Sequence, residues 1–203
     1  MIYRKKWSSS IFQGNGNKMI DSKEKLTECL NTEESLYRSI GYKGKLHSFI
    51  TQCEVGKLFQ FITYLRKDEY YSNTSGNTIT KLLNLYYRRK HNLLGWKLGV
   101  SIPCNSFGKG LLIYHSQGII VHRDARCGEY CKIHGNVCIG NNGTDREGQN
   151  TPVIGDHVDI GVGASIIGEV ILGNYTKIAA GAVVCNSYEK DGEILVGIPA
   201  KPL

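Results

Sequence analysis

No apolar run in this 203-residue chain approaches the roughly 20 residues that a bilayer span requires, so no membrane insertion is expected. The positive charges at Arg4, Lys5 and Lys6 are not followed by an apolar stretch. No signal peptide is therefore expected, and a cytoplasmic protein is predicted. Proline is absent from residues 1–97, and glycine is scarce there: 7 glycines precede position 98, whereas 17 glycines and all four prolines follow it. Acidic residues are also thin in the first part, with 8 against 17 Lys and Arg (+9); residues 98–203 hold 10 against 8 (−2). These shifts mark a boundary near Trp96. A basic half can signal nucleic acid, but apart from residues 88–90 the cations are dispersed along candidate helices, so no nucleic-acid partner is expected. They read instead as a solvated helical surface near an anionic ligand. The seven cysteines are odd in number and scattered, which fits reduced thiols better than a disulfide framework.

What the chain does have is a period of six. Phe107, Ile113, Val121, Cys127, Ile133 and Ile139 open six units, and Ile154, Ile160, Ile166, Leu172, Ile178 and Val184 open six more. A small or β-branched residue stands four places on in most of them: Ala125, Cys131, Val137, Val158, Ala164, Val170, Thr176 and Ala182. Neither a helix, with a period of 3.6, nor a lone strand, with a period of two, explains this spacing. Short strands turned at fixed intervals do, as in the hexapeptide repeat of a parallel β-helix. At three strands per coil, twelve units predict about four coils. The fold class expected is therefore mainly β, a parallel β-helix behind an N-terminal α-helical domain. Two steps break the period. Ile113 to Val121 is eight residues, and Ile139 to Ile154 is fifteen, which inserts a projecting polar loop at 141–152.

The division predicted is an irregular lead-in at 1–20, a helical domain at 21–97 and the β-helix at 98–203. Asp21 or Ser22 caps a helix to about Ile40; a second runs from about Lys45 to Tyr71, and Thr78 caps a third. Leu46, Phe49 and Ile50, then Ile79, Leu82 and Tyr86, mark apolar faces of the second and third. Nothing in the helical part looks catalytic.

Counting the three faces in rotation places the units at 113, 133, 160 and 178 on one face. There stack Tyr114 and His115, then His134 and Gly135, then Gly161, Val162 and Gly163, then Ala179 and Ala180. The upper part is bare of large side chains, and a histidine lies about two coils, roughly 10 Å, away. Such a channel suits a long, thin thioester and an acyl transfer, with histidine as general base.

Residues 98–202 resemble the serine acetyltransferase branch of the hexapeptide-repeat acyltransferases, especially members found in capsule and exopolysaccharide gene clusters. The carrying segments are 108–121 (with Gly108, Gly110, Leu111, Ile113 and His115), 140–143, 152–164 and 197–201; 65–71 adds to the polysaccharide-cluster likeness. The resemblance implies a left-handed helix and a homotrimer, with a hexamer through the helical domain as the larger option. It also implies acetyl-CoA in the groove between neighbouring β-helices. His115 matches the catalytic base. Asn141, Asn142, Val162, Lys177 and Ala180 match cofactor-contacting positions, with Gly161 and Gly163 beside them, and Lys201 is a candidate for the phosphate end. His134, Tyr114 and Asn105 are candidates for the acceptor side.

Three departures from the family pattern bear on the acceptor. Tyr114 stands where an aspartate precedes the histidine. The aspartate that orients the histidine falls near Ser101, so Ser101 or Asn105 is the expected substitute. The Arg-His pair that holds serine's carboxylate aligns with Asn150 and Thr151. Loss of a bidentate guanidinium removes the best carboxylate clamp. The expected activity is therefore acetyl-CoA-dependent O-acetylation of a polysaccharide or sugar precursor. Serine O-acetylation of cysteine biosynthesis is the alternative, and a non-catalytic β-helical scaffold the second. Cys127, Cys131 and Cys138 could suggest a metal, but the register makes the first two packing residues. No histidine pair has the His-x4-His spacing of the β-helical carbonic anhydrases either, so no metal is expected.

Overall fold

The computed structural model describes residues 19–143 and 150–203. The predicted lead-in at 1–20 and the centre of the predicted loop at 141–152 therefore fall largely outside the described residues. Four helices come first: α1 (Lys23–Ser39), α2 (Lys45–Thr51), α3 (Glu54–Asn73) and α4 (Thr78–Leu98). Ser22 caps α1 by accepting from the Lys25 N–H at 3.2 Å. Asn77, rather than Thr78, caps α4: it lies in the extended region just before the helix, and its side-chain oxygen accepts from the Thr80 N–H at 3.1 Å. Gly99 ends α4 in the left-handed conformation at φ 64°, where a Cβ is disfavoured.

The single helix expected over 45–71 is two. Gln52 takes a left-handed φ of 51° and Cys53 is extended, so the chain turns an elbow before Glu54 restarts the helix. No glycine or proline stands at the break itself, although Gly56 just beyond it lets α3 pack against Ser48 of α2, where a Cβ would clash. The apolar marks of α2 and α4 do not enter the core of one chain: Leu46, Phe49, Ile50, Ile79, Leu82 and Tyr86 are all exposed.

From Val100 onward, strands of two or three residues stack in parallel on three faces. The first face holds Val100–Ser101, Ile119–Val121, Cys138–Gly140, Ser165–Ile167 and Val183–Val184. The second holds Arg126–Cys127, Val153–Ile154 and Ile171–Leu172, extended by bridges at Phe107 and Tyr188. The third holds Leu112–Ile113, Lys132–Ile133, Asp159–Ile160, Lys177–Ile178 and Ile194–Val196, closed by antiparallel Lys201–Pro202. On it Ile113, Ile133, Ile160, Ile178 and Leu195 stand in register, as the face count expects. The eight small or β-branched repeat positions are at most 1% exposed, so the six-residue period is a packing period. "Mainly β" is corrected, however. The strands are very short, whereas the helices run to 17, 7, 20 and 21 residues, so the chain is a helical unit joined to a β-helix.

Glycine after the repeat-opening aliphatic is required by stacking. A Cβ on Gly155 would lie 2.8 Å from the backbone of Gly173 and Asn174 in the next coil. Replacing Gly155 with alanine is expected to cost about 1–3 kcal/mol, read as a lower urea midpoint at fixed protein concentration. A melting curve equal to that of the parent would contradict it.

The helical unit caps the open end of the β-helix, whose first coil has no strand before it to satisfy its backbone groups. The Leu98 and Gly99 carbonyls accept from the Gln117 and Ile119 N–H groups at 2.7 and 3.1 Å. Tyr37 Oη accepts from the Ile113 N–H at 3.1 Å. Arg66, 1% exposed, donates to the Phe107 and Gly108 carbonyls at 2.9 and 2.6 Å while paired with Glu33 and Glu69. The reading of the helical cations as a solvated surface is thereby corrected for Arg66. All seven cysteines are free; burial pushes the Cys29 thiol up to about 12, and raises Cys104 and Cys127 as well, so these three pack as thiols.

Candidate functional site

The eight-residue step between Ile113 and Val121 makes the site. Every later turn from the third face to the first is short, but here extra residues push the chain outward, leaving the His115 side chain 69% exposed at the corner. Gly135 lies directly beneath: its Cβ would sit 3.6 Å from His115 Cβ and 3.3 Å from the Ser116 carbonyl. A larger residue there would press against the histidine. One coil further on are Gly161, Val162 and Gly163, and one further still Ala179, Ala180 and Gly181. Val162 and Ala180 are exposed. Gly163 turns the corner at φ 72° with only Gly181 near its missing Cβ, so this edge is bare for a structural reason. Gly161 is different. Its Cβ would meet the Ala180 N and Ile178 carbonyl at 2.7 Å, so it is glycine for coil stacking rather than for ligand approach.

Tyr114 and His134 stack ring on ring with centroids 4.6 Å apart, and His134 Nε2 lies 3.3 Å from Asp159 Oδ1. They therefore form a wall beside His115 on the third face. Lys177 is exposed on the same face, in register with Asp159. Lys201 ends that face on its closing strand. Five strand steps separate Lys201 from the strand before His115, roughly 24 Å at about 4.8 Å each.

Two groups of expected residues are not brought to His115 within one chain. Asn141 and Asn142 follow Cys138–Gly140, at the far end of a first-face strand that starts beside the His115 corner. Asn105 is engaged elsewhere: its N–H donates to Glu69 Oε1 at 2.8 Å, and its amide pairs both ways with Asn73 at 2.9 and 3.0 Å. The histidine's neighbour is neither Asn105 nor Ser101. Glu54, the first residue of α3, brings Oε2 to 3.4 Å from His115 Nδ1, while its Oε1 accepts from the Ser116 N–H at 2.7 Å and Oγ at 2.8 Å. The Ser116 N–H, with Ser116 Oγ and His115 behind it, holds the Glu54 carboxyl below its usual range. One side chain of the helical part therefore reaches the His115 corner, where the sequence offered no candidate from the helices. The unexplained eight-residue step was the signal that could have found it.

Among the described residues, Asp68, His91 and Cys104 bring possible metal-ligand atoms within 4.8 Å of one another. Asp68 is already saturated, however: His91 Nδ1 lies at 3.1 Å, Ser72 Oγ at 3.2 Å, Asn84 Nδ2 at 3.4 Å and Arg88 Nε at 3.6 Å. Burial also favours the neutral Cys104 thiol. This is a hydrogen-bonded joint between α3 and α4.

A helical cap on a β-helix of six-residue units, with an exposed imidazole at one corner, is the architecture expected from the resemblance to the hexapeptide-repeat acyltransferases. The chain is similar to serine acetyltransferases. It is 34% identical over 104 residues to the serine acetyltransferase of Synechococcus elongatus, which covers 51% of this chain and 42% of that protein. It is 32% identical over 106 residues to that of Helicobacter pylori, covering 52% and 61%. The chain spans about half the length of the curated relatives it matches. No family model matches it. Among solved structures, Neisseria gonorrhoeae serine acetyltransferase in complex with serine aligns with a TM-score of 0.66 and 25% identity over 90% of this chain and 70% of that one. A serine acetyltransferase complex with CoA aligns at 0.65 and 24% identity over 95% and 72%.

These findings overturn the sugar acceptor. The relatives are named serine acetyltransferase, a solved neighbour is a complex with serine, and the polysaccharide-cluster likeness finds no support. The error lies in taking Asn150 and Thr151, where the family's carboxylate-holding pair aligns, as evidence about the acceptor. Thr151 is buried, with its hydroxyl on the Asp124 carbonyl at 3.3 Å, so it reports on packing rather than on the acceptor. The stretch 65–71 has a structural explanation too, since Arg66 and Glu69 are buried in the joint between the two parts and Asp68 in that between α3 and α4. Among the described residues, no helix is long and apolar enough to cross a membrane.

Proposed function

We propose that the chain is a serine O-acetyltransferase that uses acetyl-CoA. The observation that carries the reading is the exposed His115 imidazole at the head of a bare corner, in a chain whose β-helix matches serine acetyltransferases. His115 Nε2 takes the proton of the serine hydroxyl as its oxygen attacks the thioester carbonyl. The C–S bond then breaks, and the proton passes to the departing sulfur, giving O-acetylserine and CoA thiol. Val162 and Ala180 line the path of the pantetheine arm, Gly163 keeps its edge clear, and Lys177 and Lys201 meet the anionic end. Tyr114 and His134 wall the acceptor side.

In this reading residues 98–203 carry the chemistry and residues 21–97 cap and assemble. Self-association is part of the proposal. Asn141 and Asn142 can serve a His115 corner only if it belongs to a neighbouring copy, which a trimer provides. The exposed Phe49, Ile50, Ile79 and Leu82 supply apolar surface for association through the helices.

The test is thiol release from acetyl-CoA with L-serine, with O-acetylserine identified by mass spectrometry. Serine-dependent release is expected, and sugars and oligosaccharides should add nothing. Absence of serine-dependent release from protein that binds acetyl-CoA would remove serine as the acceptor.

A further inference from the structure

Glu54 stands 61 positions before His115 in sequence and on the other structural unit, yet it is the carboxylate that faces the imidazole. We propose that Glu54 is the positioning residue of His115, holding Nδ1 so that Nε2 faces the acceptor. This rests on the reading of His115 as general base. Three independent features converge on the contact. The elbow at Gln52 and Cys53 starts α3 with Glu54 at the His115 corner. The carboxylate sits in the first turn of a 20-residue helix, where the exposed N–H groups favour negative charge. The outward bulge of the eight-residue step is then fastened to that carboxylate twice, through the Ser116 N–H and Oγ.

An exposed ion pair alone is worth only about 0–1 kcal/mol and fixes little. Glu54 is fixed from the other side: with Oε1 committed to Ser116, Oε2 has one place to be, and that place is beside Nδ1. A neutral imidazole has one N–H, and the nitrogen that is held decides which. With a carboxylate at Nδ1, the proton stays on Nδ1 and the lone pair on Nε2, the state a general base needs. Glu54 touches neither substrate in this arrangement. It acts through His115.

Glu54→Gln is the informative variant. Its carbonyl oxygen still accepts from Ser116, so the bulge keeps its anchor, but its amide presents N–H to Nδ1 and favours the opposite tautomer. The expected result is a loss of roughly 10–100-fold in kcat for serine acetylation, the range for groups that orient a working imidazole. The KM values stay within about twofold, because no substrate contact is removed. Two-bond proton–nitrogen spectra of histidine-labelled protein should show the His115 N–H at Nδ1 in the parent and at Nε2 in the variant. A variant with parental kcat and an unchanged His115 tautomer would overturn the proposal. The two readings fail separately. A parent that does not acetylate serine sinks the function, whereas the tautomer measurement still decides the role of Glu54 without any turnover.

Discussion

Replacing His115 with alanine is expected to lower kcat for serine acetylation by about 10²–10⁴-fold, the usual contribution of a positioned general base. The expectation rests on geometry. His115 is exposed at a corner, lies above a glycine that leaves room for it, and continues the column that leads through Val162 to Ala180. His134 cannot take over: its ring is stacked on Tyr114 and its Nε2 faces Asp159. Because the imidazole packs against no core residue, the variant should unfold as the parent does and bind acetyl-CoA with the parent's affinity. A steady-state assay beside a calorimetric titration separates the outcomes. Loss of kcat with binding retained is the expected one; a variant that keeps parental kcat would remove His115 from the chemistry.

The β-helix was legible in the sequence because a rigid prism converts spacing directly into position. Once Ile113 and Ile133 are six-residue units on the third face, Ile160 and Ile178 have to follow them, and they do. The helical part has no such constraint. Residues 49–54 hold neither glycine nor proline, so the elbow at Gln52, and with it the reach of Glu54 to His115, has no turn residue to mark it in the sequence. The amphipathic marks in α2 and α4 were real but point away from the core of a single chain. Periodicity gives a face and not its partner. The acceptor was misread for a related reason: two positions where a clamp was missing, Asn150 and Thr151, were taken as evidence about the ligand, although a missing side chain does not name a ligand and the second of them is occupied with packing.

Arg66→Ala is expected to destabilise the fold by about 3–5 kcal/mol, the cost of leaving buried charge without its partner. A guanidinium has five N–H donors, and here all five are in use. Nε and Nη2 both reach Glu33 Oε1, Nη1 reaches Glu69 Oε2, and the remaining two donors take the Phe107 and Gly108 carbonyls. Burial by itself would push the arginine toward neutrality, but Glu33 and Glu69 hold its proton on; burial pushes the Glu33 carboxyl up. Truncation therefore strands two carboxylates and two carbonyls at the open end of the β-helix together. Lysine is no substitute, since its three donors cannot span both glutamates and both carbonyls, so Arg66→Lys should also be destabilised. The triple variant Arg66→Met, Glu33→Leu, Glu69→Met should recover part of the loss, because it leaves no orphaned charge, while the two carbonyls and the Asn105 N–H stay unpaired. Urea unfolding of the three variants at one protein concentration decides it: an Arg66→Ala midpoint equal to the parent's would mean that the network caps nothing. Arg66 lies on the buried stripe of α3, four residues after Ile62 and eight after Leu58, both fully buried. That helical spacing, read strictly, marks it as an interior cation from sequence alone.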